Sequence, residues 1–128
     1  MSPVDRATAD RPQAQSRDLA RSLVGRCLWY VPMAMAVVGF LIASARWPIW
    51  TAVFLWAGAA CLANAARCGR VHCAFTGPLY IALGLLCGSN AMGWSSVGWL
   101  WVWGAAIAGT LASFIPEWLG RRYWKPAG

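Results

Sequence analysis

Residues 27–66 read CLWYVPMAMAVVGFLIASARWPIWTAVFLWAGAACLANAA, forty positions with a single charge, Arg46. An α-helix rises about 1.5 Å per residue, so about 20 residues cross a hydrocarbon core of roughly 30 Å. Cys27–Ala45 and Trp47–Ala66 are each long enough, and two further uncharged runs follow, Val71–Trp94 and Ser95–Pro116. One such run can be the buried core helix of a soluble domain. Four in succession leave no polar faces from which to build a soluble surface. They predict an all-α, integral membrane four-helix bundle.

The whole composition agrees. Of 128 residues, 59% are hydrophobic and 12% charged, against about 25% charged in soluble domains. An ordinary soluble enzyme of this size and a nucleic-acid arm are both excluded. The predicted spans are 28–45, 47–66, 77–94 and 97–116, within a membrane domain of residues 27–118. A polar basic tail, 1–26, precedes it and a basic tail, 119–128, follows. The third span is started at 77 because His72 to Thr76 is polar. Pro32, Pro48 and Pro78 are read into first turns, where a missing N–H costs least. Thr76 and Ser95 or Ser96 are candidate N-caps, and Pro116 ends the last span. Pairs of small residues four apart, Gly39/Ala43, Gly84/Gly88 and Ala105/Gly109, mark surfaces where helices can approach.

Orientation follows from the basic residues. With the N-terminus in the cytoplasm, ten of the 11 Lys and Arg fall inside and only Arg46 falls outside. Both termini are therefore expected in the cytoplasm, and the chain in a bacterial inner membrane. Trp29, Tyr30, Tyr80 and Trp118 suit the inner interface; Trp47, Trp50, Trp94 and Trp99 suit the outer one. The Trp99–Trp101–Trp103 stripe is read as belt and packing rather than a pigment pocket, and Trp56 as helix packing. Ala43-Ser44-Ala45 resembles a cleavage site after an apolar run, but the long polar leader favours an uncleaved first helix. The first half of that leader is expected to be disordered. Leu19, Leu23 and Val24 among Arg17, Arg21 and Arg26 suit a short amphipathic anchor on an anionic leaflet.

No predicted span carries Asp, Glu, Lys or Arg away from its ends, which argues against a proton-coupled pump. Phosphate loops, nucleophile elbows and paired carboxylates are also missing, and no enzymatic activity is expected. Chemistry concentrates in the second connection. Two of the five Cys, the only His and two Arg lie in Arg67-Cys68-Gly69-Arg70-Val71-His72-Cys73. Thiolates and imidazole are ligands of soft and borderline metals. Gly69 lets the backbone turn so that they face one point, and the neighbouring guanidinium groups favour thiolate. Cys68, His72 and Cys73 are the candidate ligands. Cys27, at the start of the first span, is placed at the same depth as a fourth. Three or four such ligands suit tetrahedral zinc; two thiolates suit a softer copper or mercuric ion. Cys61 and Cys87 are read as small packing residues.

The segment NAARCGRVHCAFTGP, residues 64–78, resembles one found in small bacterial multi-pass membrane proteins, some associated with heavy-metal (mercury-type) resistance. The resemblance implies that Cys68 and Cys73 handle metal, with His72 assisting. It departs from the adjacent-Cys or C-x-x-C pairs of small mercuric-ion transporters. Two functions stay open. One is binding or relaying a thiophilic metal ion through a cytoplasmic Cys/His loop. The other is a non-catalytic accessory subunit of a larger membrane complex, with Arg67–Pro78 as docking loop. The expected partners are the lipid bilayer, membrane proteins or a second copy, and no nucleic acid.

Overall fold

The computed structural model describes residues 22–120 and Tyr123. The tail before Ser22, and Arg121, Arg122 and Lys125 of the C-terminal tail, lie outside the described residues. Four helices make up the fold: α1 Leu23–Leu41, α2 Arg46–Cys68, α3 Val71–Ala91 and α4 Trp99–Trp118. A 3-10 turn, Ala43–Ala45, joins the first two. All four helices are long and apolar enough to cross a membrane. Their outward faces carry large apolar side chains, among them Leu100, Trp101, Leu85 and Leu111, a surface suited to lipid contact.

Each helix differs from its predicted span for a local reason. Helix α1 starts at Leu23 rather than 28 because the Ser22 hydroxyl accepts the Gly25 N–H at 2.9 Å, a capping contact. Pro32 therefore lies inside α1 rather than in its first turn. Proline has no N–H for the carbonyl four residues back, that of Leu28. The Trp56 indole N–H of α2 donates to that carbonyl at 3.1 Å instead.

Helix α3 begins at Val71, not 77, and Pro78 is interior to it. Gly69, with φ of 68°, ends α2 and donates its N–H to the Ala65 carbonyl. This is the left-handed C-terminal position that favours glycine. Arg70 is extended, and the next helix begins at once. The polar residues 72–76 do not form a loop, because their side chains find partners on α2 and α4. Thr76 is no cap; its hydroxyl shares a hydrogen bond with Ser113 at 2.7 Å. Residues 71–78, read from sequence as part of a docking loop, are helical, with Val71, Cys73, Thr76 and Gly77 buried.

Helix α4 runs Trp99–Trp118, past Pro116, and its N-cap is Gly98 rather than a serine. Asn90 shapes the turn before it. Its side chain donates to the Val97 carbonyl at 3.0 Å and accepts from the Val97 N–H and the Ser95 hydroxyl.

Helix α1 packs on α2, α2 on α3, and α3 on α4. The α2–α3 contact is the closest. A Cβ at Gly58 would stand 2.9 Å from the Gly77 carbonyl oxygen, and one at Gly84 would stand 2.8 Å from Leu55. The core holds Trp50, Val53, Phe54, Leu83, Cys87, Val102 and Ala106. At the end holding the α1–α2 and α3–α4 turns, Phe40 of α1 stacks on Trp103 of α4 at 5.2 Å and meets Trp50 and Trp99 edge-on. Such edge and offset geometries are the favoured ones for aromatic rings.

Candidate thiol and imidazole site at the α2–α3 turn

The opposite end of the bundle gathers most of the reactive groups. On α2, Cys61, Asn64 and Cys68 recur at helical spacing and are all buried. On α3, His72, Thr76 and Tyr80 stand one turn apart, facing Glu117, Ser113 and Thr110 on α4. The three rungs are His72 Nδ1 to Glu117 Oε1 at 2.5 Å, Thr76 to Ser113 at 2.7 Å and Tyr80 to Thr110 at 2.9 Å. Polar pairs of this kind hold helices together where the hydrophobic effect offers no preference.

His72 is the pivot. Its ring stacks on Phe114 with centroids 4.4 Å apart and planes 18° from parallel. Its Nδ1 meets the Glu117 carboxylate, and its Nε2 lies 3.3 Å from Cys73 Sγ. An Nδ1–H donated to the carboxylate leaves Nε2 with its lone pair toward the thiol. Glu117 also receives Arg70 Nε at 3.5 Å. Its side chain is only 9% exposed, so the two contacts compensate a largely desolvated carboxylate.

Cys73, 1% exposed, is contacted from several directions. Besides His72, the Asn64 amide donates to its sulfur at 3.7 Å, and the Cys61 thiol lies beside it. Cys68 is turned aside. Its thiol donates to the Asn64 carbonyl oxygen at 3.1 Å and reaches Asn64 Oδ1 at 3.7 Å. Cys68 thus holds Asn64, which holds Cys73.

The structure brings together two of the four residues singled out from sequence, His72 and Cys73, and places Cys68 one contact away through Asn64. It does not bring Cys27 to them. Cys27 is exposed on α1, one turn inside the helix because α1 starts early. Its neighbour Leu28 sits where Trp56 reaches, about three turns before Cys68 along α2. Among the described residues, no group of three or more His, Cys, Asp or Glu is arranged to hold a metal ion. A preassembled tetrahedral zinc set is therefore not present among them; a pair of adjoining thiols with an imidazole beside one of them is. Arg70 faces Glu117 rather than the thiols, and Arg67 is exposed.

Spacing alone did not single out Glu117, Asn64 or the role of Cys61. Glu117 carries a signal even so: it is the only acid outside the N-terminal tail. Cys61 and Asn64 lie three residues apart, with Cys68 at a spacing of seven, on one face of α2. Cys87 is fully buried in the core, as a packing residue would be. Comparison with protein-family models, with characterised proteins and with solved structures finds no match to this chain.

Proposed function

We propose that this chain is a multi-pass protein of a bacterial inner membrane, with both termini in the cytoplasm, that binds and relays a thiophilic cation at Cys73. The excess of basic residues flanking one side supports the orientation. The observation that carries the binding is the setting of Cys73 Sγ, with the Cys61 thiol beside it and His72 Nε2 at 3.3 Å. Histidines that ligate metals donate their other N–H to a carboxylate, which fixes the tautomer and aims the ring. Glu117 occupies that position behind His72.

Two thiolates favour a soft ion such as copper(I) or mercuric ion over zinc, which takes four ligands. The role is that of a carrier or sensor and not of an enzyme. Cys73 is 1% exposed, which suits a single ion better than an organic substrate.

Titration of detergent-purified protein with mercuric ion tests it, read by thiolate-to-metal absorption against a competing chelator. One ion per chain is expected, lost in Cys61→Ala/Cys73→Ala and kept in Cys27→Ser. Binding weakens on acidification, because protons compete for the ligands. Equal affinity in the wild type and the double variant would overturn the proposal.

A further inference from the structure

At the other end of the bundle, three buried N–H donors have no hydrogen-bond partner among the described residues: Arg46 Nε, Trp50 Nε1 and Trp103 Nε1. All three belong to side chains packed around one ring, that of Trp99. The Arg46 guanidinium carbon stands 5.0 Å from the Trp99 centroid, and the Trp50 and Trp103 rings stand 5.6 and 5.9 Å from it. Trp50 Nε1 faces the α1 backbone, 2.8 Å from where a Cβ on Gly39 would be.

A buried donor without an acceptor costs about 1–3 kcal/mol, more when it is charged. Arg46 is also the only charged side chain at this end among the described residues, so the protein supplies it with no counter-ion there. The cation–π contact with Trp99 fixes the guanidinium plane but does not neutralise it. Arg46 opens α2, near the start of an apolar span, and spans of this length end near lipid headgroups. A carbonyl would satisfy one N–H and leave the charge. A phosphodiester carries both the negative charge and several acceptor oxygens, and guanidinium forks match it well.

We propose that Arg46, with Trp103 and the face of Trp99, forms a binding site for a phosphate group, supplied by the headgroup of a phospholipid. The site is separate from the cysteine cluster and does not depend on its function.

Native mass spectrometry of the full chain in mild detergent tests the proposal, with phosphatidylglycerol, phosphatidylcholine, diacylglycerol and inorganic phosphate added in separate arms. Both phospholipids are expected to be retained and diacylglycerol lost. Arg46→Gln should weaken retention about tenfold, the loss of one charge-assisted contact. Trp103→Phe keeps an aromatic ring, removes the N–H together with the five-membered ring of the indole, and should weaken it less than Arg46→Gln. Should Arg46→Gln fail to fold, Arg46→Lys keeps the charge without Nε and is expected to fall between. Arg46-dependent binding of inorganic phosphate alone would support the phosphate chemistry and overturn the lipid source. Equal retention of diacylglycerol and phospholipids, or retention unaffected by Arg46 substitution, would overturn the site.

Discussion

Trp56 shows how one side chain repairs a defect on another helix. Pro32 leaves the Leu28 carbonyl without its helical partner, and the Trp56 indole N–H supplies a replacement. Trp56→Phe keeps an aromatic ring but removes the donor along with the pyrrole part of the indole. The lost hydrogen bond should cost about 1 kcal/mol, seen as a lower melting temperature in detergent, and a Pro32→Ala background should remove that share of the difference. His72 and Glu117 form a second pair with a measurable balance. His72→Ala leaves the Glu117 carboxylate, 9% exposed, with Arg70 at 3.5 Å as its remaining partner in the pair network. A destabilisation of about 1–3 kcal/mol is expected, and adding Glu117→Gln should recover part of it. A double-mutant cycle of thermal melts reads the coupling; strict additivity would show that the two side chains act independently.

At the scale of the helix, the membrane term can be separated from packing at Ala59. This residue lies in the middle of α2 and is exposed, so a larger side chain meets no protein. Ala59→Arg should reduce integration by the insertion cost of a mid-membrane charge, about 2.5–3.5 kcal/mol. Normal integration of the variant would mean that α2 does not cross the bilayer. The four helices were legible in the sequence because uncharged runs of this length have one physical use. The start of α3 was not legible. Polarity at His72, Cys73 and Thr76 reads as a boundary until Glu117, Asn64 and Ser113 are known to face them, and those partners lie on other helices. The same reason limited the site: residues on one turn declare themselves by spacing, whereas Glu117, 45 positions from His72, does so only through the fold. Cys27 was misplaced in depth, because Ser22 rather than a later residue caps α1 and Leu28 meets α2 at Trp56, about three turns before Cys68.

The whole molecule is a chain of neighbours, α1 on α2 on α3 on α4, drawn together at one end by the Phe40 and tryptophan rings. One consequence is a sharp division among its thiols. Cys27 is exposed, while Cys61, Cys68, Cys73 and Cys87 are buried. Folded protein in mild detergent should take up one maleimide rapidly per chain, and all five after denaturation, counted by intact mass. Rapid labelling of two or more sites in the folded state would contradict the packing of α2 against α3.

The two-residue joint at Gly69 and Arg70 also bears on how the protein is made. Burial covers 44% of the α2 span window and 39% of that of α3, against 17% for α1 and for α4. A nascent chain that released α2 alone would set Asn64, Cys61 and Cys68 against acyl chains, with the glycine faces unmatched. With no slack between them, α2 and α3 are expected to enter the bilayer together as a hairpin, matching their polar and glycine faces. A ribosome-arrested chain exposing residues only through Cys68 should have α1 integrated and a cysteine placed at Ala59 still open to an aqueous thiol reagent. In one extended through Ala91 that cysteine should be protected, so the committed step for the α2–α3 pair falls between those two lengths.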